Sequence, residues 1–183
     1  MRRFVSTVVL LLGFVAGGIA EDAPGIWLDV PFVKQVKDGC GSASISMVMQ
    51  YWGQRQDRPM RQAAELGEIQ RALYSRKAHG IYAGDLQRYL RQHGFRTFMF
   101  RGQWAELEHH LEAGRPLIVA VKPDSGGSLH YEVVAGLERV QRLVLINDPA
   151  QRKLLKQDWA SFERQWNATG NWVLLALPQA GSP

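Results

Sequence analysis

The stretch "KQVKDGCGSASISMVMQYWG", Lys34–Gly53, holds the one cysteine of the 183-residue chain, Cys40, set between Gly39 and Gly41. From Gly41 onward the pattern turns helical. Ile45, Val48, Met49 and Trp52 fall at i, i+3, i+4 and i+7, the spacing of one buried helix stripe. Ser42, Ser44 and Ser46 lie mostly off that stripe, and Gly53 sits where a helix stop belongs. Cys40 precedes the stripe, at the point where the helix would begin. The unpaired N–H groups and the dipole of a helix N-terminus favour negative charge, which raises the thiolate fraction of a thiol placed there. Gly39 and Gly41 allow a tight turn and leave room for a substrate backbone. A cysteine acting as a small buried hydrophobe needs none of this.

Working outward, "PGIWLDVPFVKQ" before the helix carries two prolines and reads as an extended segment. After it, "MRQAAELGEIQRALYSR" is a second helix with Ala63, Leu66, Ile69 and Leu73 inward, and "AGDLQRYLRQHG" is a third that ends at Gly94. "FRTFMFRG" alternates like a strand. "QWAELEHHLEAG" is a helix with Trp104, Leu107 and Leu111 inward and Gly114 as its stop. "RPLIVAVKP" is a continuous apolar strand, and the glycine-rich loop "DSGGSL" follows it. A hairpin then runs from "HYEVVAGL" through the turn "ERVQR" to "LVLIND", with Leu137 expected roughly opposite Leu143. "DWASFERQWN" restores a helical stripe of Trp159, Phe162 and Trp166, and "NWVLLALP" closes the domain. Strands joined by short turns pair antiparallel. A helical first half followed by such a sheet predicts an α+β domain, with the helical half packed on the sheet.

The N-terminus bears on where this domain works. "MRRFVSTVVLLLGFVAGGIA" has two arginines, an apolar run, and small residues at Gly18 and Ala20, the layout of a secretory signal. The expected organisation is a signal peptide over 1–20, one domain over 21–178 and a flexible tail over 179–183. An uncleaved anchor is the rival, although the apolar run is short against the roughly 20 residues of a bilayer span. No stable membrane insertion is expected once the signal is removed. Removing Arg2 and Arg3 from the 22 basic residues leaves 20 against 17 acidic ones, a mild +3. The arginines are scattered among acids and apolar residues, so no basic stripe for nucleic acid is expected.

An exported chain with a single cysteine departs from the paired cysteines of oxidising compartments. It points to an intermolecular bond, a reactive thiol or an inert buried one. The position of Cys40 favours the reactive thiol, and such a nucleophile wants a base within hydrogen-bond reach. Five histidines compete. His109 and His110 lie side by side among glutamates on a helix, a solvated arrangement. His93 occupies a last helical turn, where a cation is favourable for capping alone. His79 stands in a loop before a glycine and stays a candidate. His130 opens an apolar strand straight after the glycine loop, where a side chain emerges at the rim of the sheet. Asp148 ends the partner strand, so the hairpin brings the two to the same end. An acid there can accept the imidazole N–H and fix its tautomer. Alone, the pair would equally suit a rim histidine and an Asp-Pro turn. Gln35, five positions before Cys40, could join the Cys40 N–H in an oxyanion hole.

"VPFVKQ", "DGCGSASISMVMQYWG", "LHYEVVAGL" and "LINDPA", in that order, resemble the motifs of the bacteriocin-processing cysteine peptidase family of the papain-like clan. The resemblance runs from about Val30 to Trp172 and takes in "GIYAGDLQRYLRQHGF" between the motifs. It implies a papain-like cysteine peptidase fold with Cys40 as nucleophile, His130 as general base, Asp148 as its orienter and Gln35 as oxyanion donor. It implies no metal or organic cofactor, and a peptide or protein as substrate. Two features depart from the family's pattern: a glycine separates Asp38 from Cys40, and the Gln35–Cys40 gap is one residue shorter. Well-known members are cytoplasmic parts of export transporters that trim leaders after a double glycine, whereas the signal here places the domain outside. The expected function is therefore an exported thiol peptidase working through an acyl-enzyme. An acyltransferase or transpeptidase with the same triad, and a non-catalytic peptide-binding domain, are the alternatives.

Overall fold

The computed structural model describes residues 25–57 and 64–179. The expected signal over 1–20, the inward Ala63 and the tail after Gln179 lie outside them. Among the described residues no helix is long and apolar enough to cross a membrane.

The chain begins with a two-residue strand, β1 (Ile26–Trp27), and continues into helices α1 (Cys40–Arg55), α2 (Leu66–Leu73) and α3 (Ala83–Gln92). β2 (Phe95–Arg101), α4 (Trp104–Glu112), β3 (Leu117–Val121), β4 (His130–Glu138), β5 (Leu143–Asn147), β6 (Leu155–Asp158), α5 (Trp159–Asn167) and β7 (Trp172–Pro178) follow. The strands form one antiparallel sheet in the order β2-β7-β3-β4-β5-β6, and β1 pairs with the far end of β4. A Cβ on Gly136 would collide with the Ile26 carbonyl oxygen, so β1 can approach β4 only over a glycine.

The α+β expectation is met with one addition: helices cover both faces. Ile45, Met49, Ile69, Leu86 and Leu90 from α1–α3 pack with Ile118, Tyr131, Val133 and Leu174 on one side. Leu107 and Leu111 of α4 and Phe162 and Trp166 of α5 pack with Val119, Val134, Val144 and Val173 on the other. Alternate residues of each central strand feed alternate cores, as the two-residue period of a strand requires. β3 accordingly reads as an unbroken apolar run, buried on both faces.

Three expectations are corrected, and one strand is new. α1 runs through Gly53, which is buried inside it, and ends at Arg55 with Gln56 as its cap and Asp57 in the left-handed conformation (φ 51°). A glycine late in a helix costs about 1 kcal/mol and does not stop it. The serines of α1 are fully buried, because this helix is covered all round. Ser42 bonds the Gly39 carbonyl at 2.9 Å, and Ser46 bonds the Ala64 carbonyl. α2 starts at Leu66, its first turn closed by Glu68 and Ile69 N–H on the Glu65 carbonyl. β6 went unforeseen, a four-residue edge strand with only alternate residues half-buried.

The hairpin register also differs by one residue. Leu137 faces Val144 and Leu143 faces Glu138, and a bulge between Val134 and Gly136 shifts the ladder so that Val133 faces Asn147. At the start of the tail, Gln179 is tied by its N–H to the Gly94 carbonyl at 2.9 Å.

Trp166 anchors the second core. It is 1 % exposed, and its indole N–H donates to the Trp172 carbonyl at 3.1 Å. Trp166→Ala should therefore destabilise the domain by about 3–5 kcal/mol, read as a lowered midpoint in urea denaturation.

Candidate active site

Cys40 is the first residue of α1 and is partly exposed. The turn that delivers it is closed by the Gly39 N–H on the Val36 carbonyl at 3.0 Å, with Asp38 in the left-handed region at φ 56°. A Cβ on Gly39 would come within 2.9 Å of the Val36 oxygen, so this turn requires glycine. Tyr74 holds Asp38 by donating its hydroxyl to the carboxylate at 3.1 Å. The glycine inserted between Asp38 and Cys40 thus has a local cause. Gly41 is different from its expected role: it is buried, and a Cβ there would press on Leu86, Ile81 and Tyr131 at 3.1–3.4 Å. Its smallness lets the helix sit close to α3 and β4 and leaves no space for a substrate.

His130, the first residue of β4, brings its Nε2 to 2.8 Å from Asp148 Oδ1. The Cys40 thiol lies near enough to the same ring to act on its charge. Burial pulls the imidazole pKa down, but the hydrogen bonds and charges of Asp148 and Cys40 outweigh it and raise it to about 10. For Asp148, burial pushes the other way from its partners. The His130 hydrogen bond and charge, the Ala150 N–H at 2.8 Å and the Gln151 amide at 2.5 Å prevail and hold the carboxyl below the usual range. Asp148 is therefore an oriented anion that accepts from Nε2. By accepting from Ala150 it also closes its own turn.

Gln35 reaches the site through its backbone. Its N–H bonds the Pro149 carbonyl at 3.0 Å, directly after Asp148. Its side chain is half-buried, with Oε1 buried and unpartnered.

The remaining histidines lie elsewhere. His79 is exposed on the Ser75–Gly80 turn. His93 Nδ1 lies 2.8 Å from the Tyr89 carbonyl at the end of α3, in the capping place expected of it. His109 is exposed, but His110 is half-buried near the ring of Phe100 rather than solvated. Burial first, then the charges of Arg115 and His109, lower its pKa.

Two buried polar residues beside the site were not singled out in the sequence. Asn147 donates to the Val30 carbonyl at 3.1 Å and accepts from the Leu154 N–H at 3.0 Å, so it ties the leading segment to the turn that carries Asp148. Glu132 is 3 % exposed within β4. In both cases the signal was a polar residue inside an otherwise apolar strand.

On the rim that carries His130, Ala83, Ala120, Leu129, Tyr131, Ala168 and Trp172 line a cavity of about 320 Å³, with Lys122 also on its wall. Tyr131 joins it to the helix start: its ring approaches Gly41, and burial and the charge of Cys40 push its hydroxyl up to about 12.

The pattern of the Peptidase_C39 like family matches residues 27–173, from β1 into β7 and across every element just described. The chain belongs to that family. No curated protein matches it. Among solved structures, this C39-like chain resembles a C39-like peptidase from Bacillus anthracis. The TM-score is 0.65 at 18% identity, with 86% of this chain and all of that one covered. A double glycine motif protease from an AMS/PCAT transporter, solved with its leader peptide, superposes with TM-score 0.61 at 21% identity, over 84% and 94% of the two chains. The peptidase domain of Streptococcus ComA, a bifunctional ABC transporter in a quorum-sensing pathway, gives 0.62 at 18%, over 80% and 97%. These likenesses show a shared fold, the papain-like peptidase fold expected from the motifs.

Proposed function

We propose that this C39-like domain is a cysteine peptidase with Cys40 as nucleophile. The observation that carries the proposal is the His130–Asp148 pair at 2.8 Å, with the Cys40 thiol acting on the same imidazole, in a chain of this family. The Cys40 thiolate attacks the scissile carbonyl carbon, and the electron pair of the C=O bond moves onto oxygen. The Cys40 N–H, at the helix start, and the Gln35 amide would donate to that oxyanion. As the C–N bond breaks, His130 gives its proton to the leaving amine, and the acyl group stays on sulfur as a thioester. Water, losing a proton to His130, then releases the acid and restores the thiol. Asp148 keeps the imidazole oriented and compensates its charge throughout.

A peptide is the substrate that fits this chemistry, and one structural relative is described in complex with a leader peptide. The cavity beside Tyr131 is mostly apolar and could hold one substrate side chain. The residue 1–20 pattern supports a place of action outside the cytoplasm. The matching expectation is that the secreted or periplasmic form begins at Glu21, read by N-terminal sequencing.

Alkylation of the purified domain with iodoacetamide tests the site directly. Cys40 should label at pH 6–7 at a rate that an unassisted thiol, with pKa about 8.5, reaches only at higher pH. His130→Ala should slow that labelling by about tenfold or more. Labelling that rises only above pH 8 and ignores His130→Ala would remove the basis for the triad.

A further inference from the structure

β4 is apolar from Tyr131 to Leu137 except at Glu132, a carboxyl set on a strand that is buried along both faces. Glu132 shares a strand face with His130, two residues earlier. One register step beyond the last ladder pair, Val133 with Asn147, it falls opposite Asp148. Atoms of His130, Glu132 and Asp148 lie within 4.8 Å of one another. Glu132 Oε1 is buried and has no hydrogen-bond partner. Its β3 partner is Val119, and Val119, Val121 and Val134 belong to the apolar core on that side of the sheet. Among the described residues, the charged groups that face Glu132 are His130 and Asp148.

We propose that Glu132 is a positioning residue of the triad, a buried carboxyl whose protonation switches His130 between one counter-ion and two. This inference rests on the site described under the proposed function. Burial favours the neutral carboxyl, the His130 charge opposes that and the Asp148 charge adds to it, and together they raise its pKa to about 8. Near neutrality Glu132 carries its proton and Asp148 is the sole anion beside the imidazole. On the alkaline side a second anion forms, and His130 holds its proton more tightly. The imidazolium then becomes a weaker acid toward a leaving amine.

NMR titration of the His130 imidazole in the mature domain reads the effect without any substrate. In Glu132→Gln, which keeps the shape of the protonated acid, the His130 midpoint should fall by about 1–2 pH units, as a charge a few ångströms away in a protein interior implies. A purely structural Glu132 would leave that midpoint in place, and an unmoved midpoint overturns the proposal. Should Glu132→Gln not fold, the side-chain carboxyl ¹³C shift of Glu132 in the unaltered protein decides. A titration near pH 8 supports the switch, and one near the ordinary 4.5 overturns it. Active protein with an unmoved midpoint defeats this inference alone. A moved midpoint in protein that cleaves nothing defeats the peptidase proposal and leaves the coupling standing.

Discussion

Cys40→Ala is expected to abolish cleavage at every bond the domain cuts, a loss of at least about 10⁴-fold in kcat/KM. The size of the effect follows from covalent catalysis. Without sulfur no acyl-enzyme forms, and the oxyanion donors and His130 are left to assist direct attack by water. No neighbouring residue can take over. Ser42 is fully buried, with its hydroxyl on the Gly39 carbonyl. Cys40→Ser keeps the size of the side chain but offers an alcohol that His130 must deprotonate, so it should lie within about tenfold of Cys40→Ala. Digestion of a peptide library, followed by mass spectrometry, measures all three proteins at once. It also separates hydrolysis from acyl transfer, since a transpeptidase would leave ligated products. A Cys40→Ala protein that still cuts the same bonds would end the proposal that this thiol is the nucleophile. The fold should be unaffected, because Cys40 lies partly exposed at the helix start and only adjoins the first core.

The site was legible in the sequence where short-range patterns decide position. The helical stripe from Ile45 put Cys40 at a helix start, and α1 does begin there. The short hairpin turn put His130 and Asp148 at one end of the sheet, and their side chains meet at 2.8 Å. The exact pairing was not legible, because the bulge near Ala135 leaves no mark in an apolar run. β6 was missed for a related reason. "LKQD" has no β-branched residue, and its pairing comes from β5 beside it. Gly53 and Gly41 misled because a glycine carries different meanings in a turn and in a crowded interface. At 53 it continues a buried helix, and at 41 it makes room for Leu86, Ile81 and Tyr131.

Glu132 is the instructive omission. In "HYEVVAGL" a single acid among apolar residues passes for the outward-facing half of a strand. That inference holds for a sheet with one wet face. Here α4 and α5 cover the second face, so the acid is buried beside the His130–Asp148 pair. Whether a strand has one dry face or two depends on helices distant in sequence. The identity of a functional neighbour was therefore settled by packing rather than by pattern. Asn147 belongs to the same class, since its partners Val30 and Leu154 come from segments that the hairpin alone does not predict.

Asp148→Asn should lower kcat/KM by about 10²–10⁴-fold and reshape the pH dependence of stability. The amide can still accept from His130 Nε2, and Gln151 can rotate its own amide to accept from the new N–H group, so the geometry survives while the charge goes. With the anion removed, burial is opposed only by what remains of the partners, Cys40 among them, and the His130 midpoint should fall below about 10. The general acid would then be less fully protonated when the leaving amine needs its proton. The sign for stability follows from the same shifts. A histidine whose pKa is raised on folding stabilises fully below 6.5, and this contribution is lost as pH climbs through about 10. A carboxyl whose pKa is lowered on folding stabilises above its ordinary 3.8, and this is lost as pH falls. Unaltered protein should therefore exceed Asp148→Asn in stability most between pH 3.8 and 6.5. The difference should shrink as pH climbs toward about 10, down to what the Ala150 and Gln151 bonds to the carboxylate contribute. Urea denaturation of both proteins across that range measures it. A difference that stays constant with pH would mean that Asp148 serves the turn through Ala150 and Gln151 and contributes no charge to His130.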